Sequence, residues 1–202
     1  MTSIWIARHG QNEDNVNGIL NGHRDLPLTE LGREQARQLG EGIKAAGLKF
    51  DVVLSSPLIR AYETAVIAAN IAGLPDPIVY ENIIERNLGD MAGVPISKIE
   101  ELCAPNILKT EIVTYFLLAP GAETFEEMLI RGREVIRDMR DRFSGKKVLL
   151  VCHGDIGKMI YAAATGESWR EVLKKFHFGN GELIETSGNG EAHKIKLKQF
   201  NH

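Results

Sequence analysis

The 202-residue chain carries 24 Lys and Arg against 27 Asp and Glu, a formal net charge of -3, and is 44% hydrophobic and 25% charged. That balance excludes disordered and fibrous classes and leaves enough apolar surface for a substantial core without disulfides. Mild acidity argues against a general nucleic-acid or membrane-surface binder, which carries a basic excess, so any anion site must be a local concentration of positive groups.

Ile4-Trp5-Ile6-Ala7 reads as a buried strand running straight into Arg8, His9 and Gly10. A central parallel strand has both faces covered, and such a sheet carries its chemistry at the carboxyl ends of its strands. Gly10 is expected to let the backbone turn and a ligand come close. The run from Gln11 to Arg24 shows neither helical nor strand periodicity and reads as a long loop, in which Asn12, Asn15 and Asn21-Gly22 offer amide and backbone donors. Thr29 then caps a helix with Leu31, Leu39, Ile43 and Ala46 on one face, ending at Gly47. Asp51 to Leu54 is a second buried strand. With Ser56 as N-cap and Pro57 as first helical residue, Arg60 falls about one turn in, near unpaired N–H groups that suit an anion.

A short strand, Ile78 to Tyr80, leads to Ile84-Glu85-Arg86. Glu85 follows an apolar pair, and partial desolvation would raise its pKa and suit it to proton transfer; the alternative is an exposed glutamate paired with Arg86. Residues 90 to 120 show no strand pattern and read as a helical excursion. Thr124 to Glu127 is a capping box opening an amphipathic helix through Met128, Leu129, Val135, Ile136, Met139 and Phe143. Lys147 to Cys152 is the clearest buried strand, and it delivers His153-Gly154 just as the first delivers His9-Gly10. Asp155 to Thr165 and a stretch opened by Ser168 read as helices, Phe178 to Gly181 as a turn, and Glu182 to Thr186 and His193 to Leu197 as closing strands linked by Ser187 to Gly190. The fold class is therefore α/β, a three-layer α/β/α arrangement with a mostly parallel central sheet, helices on both faces and antiparallel strands near the C-terminus.

Arg8-His9-Gly10, Arg60, Glu85 and His153-Gly154 come from different strand ends, where a site of such a sheet belongs. With Asn15, Pro27-Leu28-Thr29, Ser55 to Ile59, Pro120 to Glu123 and Asn180-Gly181, this set resembles the histidine phosphatase superfamily, the phosphoglycerate mutase-like family, in its phosphatase branch. The resemblance implies one domain over 1–202, with a lid over about 87–120. It also implies His9 as the nucleophile of a phosphohistidine mechanism and Glu85 as proton donor and then base. Arg8, Arg60 and His153 would be positive neighbours holding the phosphoryl oxygens, the two arginines bidentately, and Asn15, Asn21, Gly22 and Gly154 would meet substrate. The partner is a small phosphorylated metabolite, sugar phosphate or phospho-acid. No cofactor and no metal are required, arginines replacing the divalent cation. Asn12 stands where the family usually has Ser or Thr, and Ile19 where many relatives have Arg.

The alternatives are a mutase, which the excursion argues against because Lys98 and Lys109 are its only cations, and a non-catalytic phospholigand-binding protein. A cysteine phosphatase built on Cys152 and Lys158 fits poorly, since lysine cannot give a planar bidentate grip. Two cysteines, and no basic leader or long apolar span, lead us to expect a cytoplasmic protein that neither spans a membrane nor binds nucleic acid. Ile112, Val113, Tyr115, Phe116 and Leu117 could line the lid or form the contact of a homodimer.

Overall fold

Side chains of β1 (Ser3–Arg8) alternate between two apolar layers, as the strand period of two requires. Ile4 and Ile6 enter one layer and Trp5 and Ala7 the other. The computed structural model describes residues 1–186 and the backbone of 194 and 195. After β1 come α1 (Glu13–Asn17), α2 (Glu30–Ala45), β2 (Val52–Ser55), α3 (Ile59–Ala72), β3 (Ile78–Val79), α4 (Ile99–Cys103), β4 (Ile107–Lys109) and β5 (Thr114–Phe116). The chain continues with α5 (Phe125–Arg142), β6 (Lys147–Cys152), α6 (Gly154–Thr165), α7 (Trp169–Lys175), β7 (Leu183–Glu185) and β8 (Lys194–Ile195).

The main sheet has the order β3-β2-β6-β1-β7-β8. Its first four strands are parallel, β7 runs antiparallel to β1, and β8 antiparallel to β7. Leu39 and Ile43 of α2 and Ala65, Ala68 and Ala72 of α3 cover one face. On the other lie Met128, Val135 and Met139 of α5, Ile156, Met159 and Ile160 of α6, and Val172 of α7. The expected α/β class with a parallel centre and antiparallel closing strands is what forms. Of the expected links, Ser187 to Gly190 lies outside the described residues, as do His193 and 196–197. No described helix is long and apolar enough to cross a membrane.

Register brings distant residues together. β1 pairs with β6 from Ser3↔Lys147 to Arg8↔Cys152, and the His9 N–H donates to the Cys152 carbonyl at 3.0 Å. His9 and His153 therefore leave neighbouring strands side by side. Ser55 pairs with Val151, and the Ser56 N–H donates to the Val151 carbonyl, which sets Ser56 on the same rim. Gly10 serves a neighbour rather than a ligand: a Cβ there would overlap the Gly32 carbonyl oxygen, and one on Gly32 would overlap that of Gln11. The α2 backbone thus crosses directly under the turn after β1.

Four local expectations are corrected. The run after Gln11 is not wholly a loop, because Asn12 and Asn15 cap each other reciprocally across α1, a helix too short to show a period. α3 begins at Ile59, with Leu58 rather than Ser56 at its N-cap, so Arg60 lies in the first turn. Ala46 is exposed at the end of α2, whose buried face is completed instead by Gly32, Ala36 and Gly40. The 90–120 stretch contains the antiparallel pair β4 and β5 beside α4. Three-residue strands are below the length at which alternation becomes legible, and their pairing depends on a small cluster of Leu88, Met91, Ile99, Cys103 and Phe116.

Candidate active site

His9 is buried, and its Nδ1 lies 2.6 Å from the Gly10 carbonyl oxygen. A carbonyl can only accept, so Nδ1 carries the proton and Nε2 keeps a lone pair. The Arg60 Nε–H donates to that Nε2 at 3.2 Å. Burial, reinforced by Arg60 and Arg8, holds His9 well below the usual imidazole pKa and keeps the ring neutral. Thr64 of α3 locks the turn by accepting the Gly10 N–H at 3.0 Å, and Asn180 donates to the His9 carbonyl at 3.0 Å and to Asn15 Oδ1 at 3.2 Å.

Arg60 is fully buried, but its fork does not stand open for bidentate capture. Nη1 donates to the Arg24 carbonyl at 2.7 Å and Nη2 to that of Gly22 at 2.8 Å, so the fork ties the 22–24 loop down while Nε faces His9. Burial lowers its pKa to about 10, which leaves it a cation. Arg8, part-buried, donates from Nη1 to the Phe178 carbonyl at 2.5 Å, and its buried Nε has no hydrogen-bond partner among the described residues. Burial lowers Arg8 as well, against the pull of Glu85 and Asp155.

The ring of His153 lies 5.0 Å from that of His9, inclined at 60°. Its Nε2 meets Ser56 Oγ at 2.7 Å, while Nδ1 is buried with no partner among the described residues. The expectation of a positive His153 is corrected: burial first, then Arg60, His9 and Arg8, push it well below the ordinary imidazole range, so it too is neutral. A buried polar atom without a partner costs about 1–3 kcal/mol. Arg8 Nε, a donor, suits an acceptor-rich group such as a phosphoryl, and His153 Nδ1 does so in the tautomer whose Nε2 accepts from the Ser56 hydroxyl.

Glu85 is half-buried and seated on the first turn of α6. Its carboxylate accepts from the N–H groups of Arg86 at 2.9 Å, Ile156 at 3.1 Å and Asp155 at 3.3 Å. Arg86 is not its ion-pair partner, because that guanidinium stacks 4.2 Å from the centre of Phe116 and 4.3 Å from that of Phe125 and donates to the Phe116 and Glu123 carbonyls. The backbone around Glu85 is clamped from outside by His23 Nε2 on the Glu85 carbonyl at 2.7 Å and by Arg131 on that of Ile84 at 2.6 Å.

A cavity of about 210 Å³ opens above this floor. Arg8, Asn15, Asn21, Gly22, Glu85 and Gly154 line it, which gathers the expected substrate contacts with two of the expected catalytic groups; His9, Arg60 and His153 lie beneath, buried. Val113, Tyr115 and Phe116 line the cavity too, whereas Ile112 is exposed. Sequence reading gives no role at the site to His23 or Asp155, casts Ser56 only as a helix cap and weighs Lys158 only in the rejected cysteine phosphatase. Lys158 carries a signal, since it stands one helical turn beyond Gly154, whereas His23 and Ser56 act through partners far away in the chain.

The family model of the histidine phosphatase superfamily (branch 1) matches residues 4–201. A 2,3-bisphosphoglycerate-dependent phosphoglycerate mutase of Mesorhizobium japonicum is 30% identical over 194 residues, covering 94% of each chain. An uncharacterized phosphatase PhoE of Bacillus subtilis is 32% identical over 154 residues, 76% of this chain and 72% of that protein. Among solved structures, phosphoserine phosphatase from Entamoeba histolytica in complex with 3-phosphoglyceric acid superimposes with a TM-score of 0.73 at 25% identity, over 92% of this chain and 90% of that one. Two histidines on adjacent strand ends, a buried and a part-buried arginine and a carboxylate at the mouth thus occur in a chain matched along almost its whole length: it belongs to the histidine phosphatase superfamily, branch 1.

Proposed function

We propose that the chain is a phosphomonoester hydrolase that turns over a small phosphorylated metabolite through a phosphohistidine on His9. The observation that carries this reading is the tautomer of His9, whose Nδ1–H is held by the Gly10 carbonyl so that the lone pair stays on Nε2, where it accepts the Arg60 Nε–H until phosphorus takes its place. In the first step Nε2 attacks phosphorus, the P–O bond to the organic group breaks, and the Glu85 carboxyl gives its proton to the departing oxygen. In the second, the Glu85 carboxylate takes a proton from water, the resulting oxygen attacks phosphorus, and the P–N bond breaks to free phosphate and restore His9. Arg8, the Arg60 Nε and His153 steady the phosphoryl oxygens while charge moves across them. The residues needed are all the chain's own, and the scheme uses no metal or cofactor.

The 87–120 segment would act as the lid that selects the organic group. A mutase is the second reading, favoured by the names that several relatives bear. Against it, Lys98 and Lys109 pair with Glu101 at 2.6 Å and Glu100 at 2.8 Å on the surface, and neither lines the cavity. Rapid-quench trapping of an acid-labile phosphoenzyme, absent in His9→Ala, tests the intermediate. Phosphate release measured beside phosphoglycerate interconversion tests the branch, and interconversion outrunning release would replace this reading with the mutase.

A further inference from the structure

Glu85 is held at two points, and the holds come from two different helices. Its carboxylate accepts the N–H groups of Asp155 and Ile156 in the first turn of α6. Its backbone lies in the stretch 84–87, which has no regular structure and so no helical or sheet ladder to fix it. A single side chain of α5 takes over that task. Arg131 Nη1 donates to the carbonyls of Asn82 at 3.0 Å and Ile84 at 2.6 Å, and Nη2 reaches that of Glu85 at 3.5 Å.

The guanidinium is itself held. Nε donates to Glu123 Oε1 at 3.0 Å and Nη2 to Oε2 at 2.7 Å, a bidentate pair whose side chains are only 16% and 19% exposed, which shields its geometry from solvent. Glu123 also grips the segment directly: its N–H donates to the Asn87 carbonyl at 2.8 Å, and its Oε2 accepts the Asn87 N–H at 3.4 Å. Beside Arg131, a Cβ on Gly132 would stand 2.8 Å from the Met159 carbonyl oxygen, so α5 and α6 touch closely there. The helix that grips the backbone of Glu85 and the helix that grips its carboxylate thus form one packed frame. Arg131 takes no part in lining the cavity.

We propose that Arg131, seated by Glu123, is a positioning residue for Glu85: it ties residues 82–85 to α5 so that the carboxyl stays on the first turn of α6, within reach of the oxygen that leaves phosphorus. The inference rests on the hydrolase reading for what Glu85 does and adds what keeps it in place. Lysine is no substitute, because an ammonium has one nitrogen to share where the fork spreads three over a carboxylate and the carbonyls. Losing the fork frees the segment, and a displacement of about 1 Å costs a positioned group up to about 10²-fold in rate. That cost falls on proton transfer. Substrate affinity is set in the cavity, which Arg131 does not line, so the maximal rate of phosphoenzyme formation falls while the half-saturating concentration holds.

The test compares Arg131→Lys, Glu123→Gln and Glu85→Gln in single-turnover phosphoenzyme formation from sn-glycerol 3-phosphate and from p-nitrophenyl phosphate, whose leaving group needs no proton. We expect Arg131→Lys to slow the alkyl ester by about tenfold to a hundredfold and the nitrophenyl ester by less than about threefold, the split that Glu85→Gln shows on a larger scale. Glu123→Gln leaves Arg131 in place and should show the same split more weakly, so it carries the test if Arg131→Lys does not fold. The double variant should lose little more than Arg131→Lys alone, since both residues act through one fork. A second readout needs no turnover: the amide-proton NMR signals of Asp155 and Ile156 should move in Arg131→Lys toward their positions in Glu85→Gln. Unmoved signals, or equal losses on the two esters where Glu85→Gln shows the split, overturn the inference and leave the hydrolase reading standing. Moved signals with no split in Glu85→Gln itself would uphold the positioning role and overturn Glu85 as the acid instead.

Discussion

His9 and His153 reach the site from strands paired continuously from Ser3↔Lys147 to Arg8↔Cys152, whereas Tyr115 and Phe116 reach it from the three-residue pairing of β5 with β4. The first region is buried on both faces by the α2–α3 and α5–α6–α7 layers. The second has a five-residue buried cluster of its own, with Leu20, Val94, Ile107, Ala119 and Ala122 packed around it, and joins the main core on one side through Tyr115 against Phe125 and through Arg86 between Phe116 and Phe125. The floor is thus over-determined and the wall is lightly held. Proton and phosphoryl transfer need groups fixed to within fractions of an ångström, which a central sheet supplies; choice of substrate needs only a shaped surface, which a short excursion can supply and alter.

The most severe way to test this division is at Glu85, the carboxylate that lines the cavity. Glu85→Gln should lower kcat for alkyl phosphates by about 10²–10⁴, the usual contribution of a positioned acid, while p-nitrophenyl phosphate, whose leaving group needs no proton, loses far less in phosphoenzyme formation. Equal losses on both in a single-turnover assay would remove Glu85 from its role as acid. Next in size is Gly10→Ala, which forces a methyl group into the Gly32 carbonyl oxygen. We expect about 1–3 kcal/mol of destabilisation in urea melts, the range for overpacking a tight contact. No change would mean that the floor yields as readily as the wall.

The buried imidazoles give a pH signature. As pH falls through 6.5, the ordinary imidazole value, the unfolded chain takes up protons that His9 and His153 do not accept in the fold, so stability declines with falling pH from there downward. The slope is up to about 1.4 kcal/mol per pH unit for each ring. A chemical-denaturation series should show the slope flattened in His9→Gln and in His153→Gln. The smallest effect belongs to the wall: Ile96→Ala, at a position 45% exposed, should raise KM by less than about tenfold and leave kcat unchanged, since it trims only contact area. A fall in kcat there would join wall and floor into one catalytic unit.

Much of the floor is legible in the amino-acid sequence. Apolar runs that end in Arg8-His9 and in Cys152-His153 read as strands because burial on both faces leaves no alternative composition, and matching ends imply a shared rim. Three roles are not legible there. The place of Arg60 beside a helix start suggests a fork that holds an anion, but the Gly22 and Arg24 carbonyls occupy it, a partnership between residues far apart in the chain. Ser56 has the local pattern of a helix cap, and its hydroxyl, besides accepting the Leu58 N–H at 3.3 Å, meets His153 across the β2–β6 seam. A positive His153 would suit phosphate, yet a ring enclosed with two arginines and a second imidazole cannot readily carry another charge.

Local signal is enough for the strands at Ile4 and Val148, for the capping box at Thr124 and for glycines such as Gly73 and Gly166 that close helices. It is also enough to say which residue types stand at the strand ends. Packing, by contrast, settles which tautomer His9 adopts, which donors stay open to a phosphoryl group, and which side chains face the cavity from β5 and α6. Those outcomes depend on distances between residues up to 171 positions apart, such as Asn180 on the His9 carbonyl. A linear pattern records the donors and acceptors that a residue carries, but only the packed chain sets which of them meet.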